Sequence, residues 1–227
     1  MFKWIKDILD KLINCCRKRE DLISLPDLRI YIVVPYSRKD EAKLLGAFWD
    51  TEQQKWYALD STYGQLLSNF KSYESLIFDN EDRNFGGNFL SIDMIPSSCA
   101  RKNVRSKVSE EVWEMIRYTV RDRSHFTCEL CGIRCKVLHC HERFSYNMNT
   151  KVQKLERFLC LCADCHNVVH WGRAELMGDG SKAREHLKKI GKMTDEEVDS
   201  HIRDSYKLRW ERDKIDWELD LSILKDI

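Results

Sequence analysis

"LCLCADCHNVVHWG", residues 159–172, holds Cys162 and Cys165 as a C-x2-C pair, with His166 directly after it and His170 one helical turn further on. Upstream, "CELCG" at residues 128–132 repeats the spacing with Cys128 and Cys131. Four thiolates so spaced let each pair grip one side of a tetrahedral Zn2+, and the ion then closes the intervening loop and supplies a large part of the folding free energy. Cys128, Cys131, Cys162 and Cys165 are therefore expected to form a structural zinc site; buried free cysteines or an iron-sulfur cluster are the alternatives. Cys135 and Cys160 read as core, with a role as alternate ligands the second reading. If His166 opens a helix, it and His170 point to one side, as two ligands of one metal must. With "VLHCHERF" at residues 137–144 between the cysteine pairs, these histidines point to a second, functional site beside the knot.

The rest of the composition agrees. Seven of the ten cysteines (Cys128, Cys131, Cys135, Cys140, Cys160, Cys162, Cys165) share one window with His139, His141, His166 and His170. Secreted disulfide scaffolds do not interleave cysteine with histidine, so the mixture predicts metal binding in a reducing compartment, the cytoplasm. With 43% hydrophobic and 33% charged residues and only three prolines, the chain has the composition of a globular protein. Net charge is +1, so any affinity for nucleic acid must come from local patches.

Working outward to the N-terminus, Phe2, Ile5, Leu9, Leu12, Ile13 and Cys16 recur at helical spacing, which predicts an amphipathic helix over residues 1–25. Its stripe would pack on the protein's own body, on a second copy to make a homodimer, or on a partner protein; a membrane surface is the less common use. Lys3, Lys6, Asp7, Asp10 and Lys11 interrupt the apolar run, so it is neither a signal peptide nor a membrane span.

Residues 27–62 read as a small βαβ-like accessory domain. "RIYIVV" is a β-branched strand ended by Pro35, Ser37 and Asp40 start a helix stopped at Gly46, "DTEQQ" turns, and "KWYAL" is a second strand. Trp49, Trp56 and Tyr57 read first as its core and second as base-stacking surfaces. Residues 63–100 are expected to be a helix and a linker, the glycine-containing "DNEDRNFGGN", followed by a strand in "FLSIDMIP". The remainder, 101–227, is a zinc-binding domain with C-terminal helices and a final strand in "KIDWELDLSIL". Arg101, Lys102, Arg105 and Lys107 form an acid-free run just before the metal ligands, and Arg121 and Arg123 lie on the helix that leads into Cys128. These six are candidate phosphate contacts.

Two resemblances add to this reading. V-P-Y…K-D-E-A-K-x-L-G-A-x-W-D…K-W-Y resembles a small uncharacterised domain that recurs beside plasmid primases and other DNA-handling proteins. The arrangement C-x2-C…H-E…C-x2-C-H-x3-H, together with "FLSIDMIPSSCARKNVRSKVSEEVWEMIR", "LHCHERFSYN" and "WELDLSIL", resembles the HNH endonuclease family over about residues 85–225. That resemblance implies an α+β chain, a strand-helix-strand module followed by a zinc-stabilised ββα-metal, treble-clef-like domain with flanking helices. It implies metal-dependent hydrolysis of DNA, with single-stranded DNA or RNA as other substrates, using a histidine base and one divalent ion, Mg2+, Mn2+ or Zn2+. His141 matches the base, His166 a metal ligand and His170 an additional ligand. Cys140 stands where the family often has a further ligand, Arg157 falls near its middle Asn, and Glu142 or Asn147 is a replacement for the altered positions. The alternative is a catalytically degraded HNH-like module that binds nucleic acid without cutting, with Cys140, His166 and His170 holding a second zinc.

Overall fold

The computed structural model describes residues 29–59, 62–73 and 76–225. The amphipathic helix expected at residues 1–25 lies outside them. Chain and fold are mixed helix and sheet, with two three-stranded sheets.

The first sheet orders β1 (Ile30–Ile32), β3 (Lys55–Ala58) and β2 (Phe48–Asp50), all antiparallel, with α1 (Lys39–Leu44) between β1 and β2. "DTEQQ" is a turn as expected, with Gln54 at φ 52°. The expected strand-helix-strand unit thus gains a strand, because Phe48–Asp50 pairs across that turn. Its core is Ile32, Ala42, Trp56 and Ala58 with Leu66 and Phe70 from the region of α2 (Tyr63–Leu67). Ser72 also bridges to Ile32. The unit therefore extends past residue 62, where the sequence suggested its end.

This module is docked on α3 (Glu110–Arg123), whose Ser109 hydroxyl caps the N-terminus by accepting from Val112 N–H at 3.2 Å. Lys55, 7% exposed, pairs with Asp122, which also accepts from the Tyr73 hydroxyl at 3.0 Å. The Arg121 guanidinium donates to the Gln53 and Gln54 carbonyls at 3.2 and 3.1 Å. Arg123 forks onto Glu81 at 2.6 and 2.8 Å. Two of the arginines expected at phosphates are thus consumed inside the protein: a buried guanidinium needs carbonyls or a carboxylate, and these positions supply them.

The second sheet is a long antiparallel hairpin, β4 (His139–Asn147) with β5 (Val152–Leu161), extended by a short parallel strand β6 (Glu218–Asp220). The expected C-terminal strand is therefore three residues long, and a 3-10 turn at Ser222–Leu224 buries Ile223 and Leu224. After β5 come α4 (Ala163–Val169), α5 (Trp171–Leu176), α6 (Gly180–Gly191) and α7 (Asp195–Asp213), the last with the expected capping box of Thr194 and Glu197.

Two linking segments differ from expectation. "FLSIDMIP" buries Leu90, Ile92 and Met94, yet it is not a strand. Its amides are taken by other groups: Asp93 N–H donates to the Val169 carbonyl at 3.0 Å and Ile92 N–H to His201 Nε2 at 3.1 Å. The charged stretch 79–88 is no linker either. Arg143 and Arg157, register partners only 4% and 1% exposed, direct their guanidinium groups into it. Arg143 donates to the Gly86 and Gly87 carbonyls at 3.3 and 3.0 Å, and Arg157 to the Arg83 carbonyl and, at 3.0 Å, to Asn88 Oδ1.

Candidate metal centre

The local fold around the cysteines is set by two tight corners. Cys128–Cys131 is a knuckle closed by Gly132 N–H donating to the Cys128 carbonyl at 2.9 Å, with Gly132 at φ +74°, a conformation that favours glycine. The second pair opens α4, where the Cys162 Sγ caps the helix by accepting from Cys165 N–H at 3.5 Å. These corners bring the four Sγ atoms within 4.8 Å of one another. Cys131 and Cys162 are 3.7 Å apart, close to the edge of about 3.8 Å that a tetrahedron with Zn–S bonds of about 2.3 Å requires. The Cys128 thiol is held low, at about 4, chiefly by its hydrogen bond with Cys165, against burial and with backbone N–H groups assisting. Burial pushes Cys162 up, and the hydrogen bond with Cys128 and burial push Cys165 up in turn, so the cluster shares its protons, and it is the spacing of four sulfurs that fits Zn2+. From α6, His186 Nε2 approaches Cys165 Sγ to 3.2 Å, a contact with no forerunner in the sequence pattern. Cys135 and Cys160 are outside the cluster, packed in the core as expected.

Beside the knot stands a second cluster. His141 on β4 meets His166 on α4 and His170 at its C-terminal cap, one ring nitrogen from each lying within 4.8 Å of the others. His141 Nδ1 is 3.1 Å from His170 Nε2. Burial, then the neighbouring His170, lowers His166 to about 3; burial and Arg173 lower His170 to about 4; burial holds His141 well below the usual range. All three therefore favour the neutral imidazole, the form that binds a metal, and a cation would replace the His141–His170 contact. His141, 2% exposed, has no hydrogen-bond partner at Nε2 among the described residues, while its Nδ1 is the nitrogen that faces His170.

Cys140 is not a third or fourth ligand of this group. Alternate residues of a strand face opposite ways, so Cys140 turns from the histidines, touches only the wall of their cleft and packs toward Ile116, Val120 and Phe158. The same alternation puts His139 on the histidine side, where its ring stacks parallel on His166 at 4.7 Å between centroids. That H-x-H spacing in a strand was the available signal for His139. Arg157 is likewise not in the site, being committed to the 83–88 segment.

The cleft around the histidines has a volume of about 410 Å3. Glu142 lines it, its carboxylate accepting from Val104 N–H at 3.1 and 3.2 Å. Burial pushes this carboxyl up to about 7, against the Val104 and Arg105 amides. Those amides belong to the basic run, so Glu142 pins it at the cleft. Arg105 and Arg173 line the opening and make no ion pair among the described residues; Lys102 is tied to Asp216 at 2.7 Å and to the Trp217 carbonyl at 2.6 Å. Arg101 and Lys107 are solvent-exposed. Gln153, 1% exposed, also reaches this cleft with neither amide atom partnered among the described residues, and nothing in the sequence marked it.

Comparison with known proteins bears on the small module. A family model described as "Domain of unknown function (DUF5710)" matches residues 29–72. The DNA primase TraC of Escherichia coli is 62% identical over 34 residues, which cover 15% of this chain and 2% of that protein. No solved structure matches the chain. Among the described residues no helix is long and apolar enough to cross a membrane.

Proposed function

We propose that the chain is a metal-dependent endonuclease of the HNH, ββα-metal type acting on DNA, in which the four-cysteine site is structural and the three-histidine site holds one catalytic divalent ion. The observation that carries this is the convergence, among the described residues, of three imidazoles, and not four ligands, on one point of a cleft lined by two arginines that make no ion pair there. Three protein ligands leave positions open for water and substrate, the mark of a catalytic and not a structural site. With Cys140 turned away, the saturated second zinc of a merely binding module loses its fourth ligand. The hairpin β4–β5 followed by α4 is the order of elements that the HNH resemblance implies, and the likeness of 34 residues to a short part of a DNA primase gives a DNA-handling context.

In this reading His141, His166 and His170 hold the ion, which supplies charge stabilisation at the scissile phosphate and at the leaving oxygen. A ring nitrogen whose lone pair is on a metal cannot take a proton, so in this reading His141 serves as ligand. Glu142 shares Cys140's side of β4, but its longer side chain lines the cleft, and the general base assigned to His141 from the sequence passes to it. The Val104 amide fixes that carboxylate in the cleft and leaves lone pairs free to receive the proton of an attacking water. Arg105 and Arg173 position the backbone of the substrate. The test is incubation of supercoiled plasmid and single-stranded DNA with the full chain in Mg2+, Mn2+, Zn2+ or EDTA, beside His166→Ala. Metal-dependent nicking that is lost in the variant is expected; binding without cleavage in every metal would leave the non-cutting module as the correct reading.

A further inference from the structure

We propose that the cleft between the small module and α3 is a second nucleic-acid contact that takes an unpaired base of a single strand. The inference rests on the reading that this chain handles nucleic acid, and not on cleavage. Trp56 is core, 8% exposed, but Trp49 beside it on β2 is 44% exposed and Tyr36 is 73% exposed. Both exposed rings line one cleft of about 300 Å3, together with Lys39, Trp56 and an ion pair in which Arg117 donates to Glu114 at 2.6 Å, so Lys39 is the cation at the rings. Large rings left in water by a core this small mark a binding surface. Trp49 also sits edge-on to Trp56 at 5.4 Å between centroids.

The chemistry of the rim selects the occupant. The Lys39 ammonium sits 3.9 Å from the centre of the Tyr36 ring and makes no ion pair among the described residues. Aromatic faces flanked by cations suit a base with its phosphate, and stacking is open to any base whose face is free, which in a duplex it is not. Position gives the second argument. Arg117 lines this cleft and also the small recess that contains His139 and Cys140. One turn earlier on α3, Trp113 lines the histidine cleft. Residues four apart share a helix face, so one face of α3 runs between the stacking cleft and the histidine site. A strand bound by its phosphates at Arg105 and Arg173 has a continuous path past Arg117 to Trp49.

Equilibrium binding of the full-length protein, without added divalent ion, tests this with a labelled single-stranded oligonucleotide and its matched duplex. Trp49→Ala and Tyr36→Ala are each expected to weaken single-strand binding about tenfold and to change duplex binding less than about twofold. A 2-aminopurine in the oligonucleotide should be quenched by the wild type and less so by Trp49→Ala. Tyr36→Ala removes the most exposed ring, so it reads out even if Trp49→Ala melts early. Unchanged single-strand affinity in the double variant, or an equal loss on duplex, overturns the proposal; the first result would fit a cleft covered by the chain's own N-terminal segment. Absent cleavage leaves this test intact, whereas absent binding by the wild type overturns it together with the nucleic-acid reading.

Discussion

Cys162 and Cys165 stand at the start of α4, while His166 and His170 occupy its body and its C-terminal cap, so one seven-residue helix serves two clusters. The cysteine cluster has four soft donors, three of them buried, between a knuckle and a helix that also share one hydrophobic core. The histidine cluster has three donors, neutral and borderline in softness, beside a cleft with cations at its mouth. Donor number separates holding from reacting. The first cluster leaves a metal nothing to exchange, and the second leaves it a vacancy.

The largest effect that would break this contrast is at the knot. Cys128→Ser in the full chain should abolish the cooperative thermal transition followed by circular dichroism, because a structural zinc contributes on the order of 10 kcal/mol in small zinc domains. A variant that still melts cooperatively would show that the knot is dispensable. Next, His166→Ala should lose one equivalent of bound metal by elemental analysis while its melting temperature stays within a few degrees of wild type. Loss of both equivalents would make the two clusters one. Glu142→Gln should keep both metals and slow nicking about 100-fold or more, the scale of a general base; an unimpaired rate would return that duty to another group. Smaller is the docking of the module: Asp122→Ala strands the Lys55 ammonium, and a cost of about 3 kcal/mol in denaturant unfolding is expected. Smallest, Arg105→Ala and Arg173→Ala should each reduce the slope of log affinity against log salt by about one unit, uniformly across sequences.

Much of this contrast could be read from the chain. The two C-x2-C pairs and the histidines four apart name residues that do converge, because each spacing brings its own pair to one side. Faces were harder. The H-C-H order of residues 139–141 already holds the answer for Cys140, since a strand separates neighbours, but a ligand role for Cys140 follows only if that alternation is ignored. "FLSIDMIP" shows the limit of the two-residue period: it reports that one side is buried and not which groups accept the amides, here Val169 and His201. Residues 79–88 show the complementary limit, because polar composition looks the same whether it meets water or the buried guanidinium groups of Arg143 and Arg157. Those partners are distant in sequence, and no local pattern announces them.

The central claim, two clusters of unlike openness, is tested most directly by replacing the bound metal with Co2+ and recording its absorption spectrum. Two equivalents are predicted. One should carry thiolate-to-metal charge transfer and be indifferent to added phosphate, and the other should lack that band and shift its visible absorption when inorganic phosphate or a dinucleotide enters its open position. A single equivalent, or a second one that shows thiolate bands and ignores phosphate, would contradict the account.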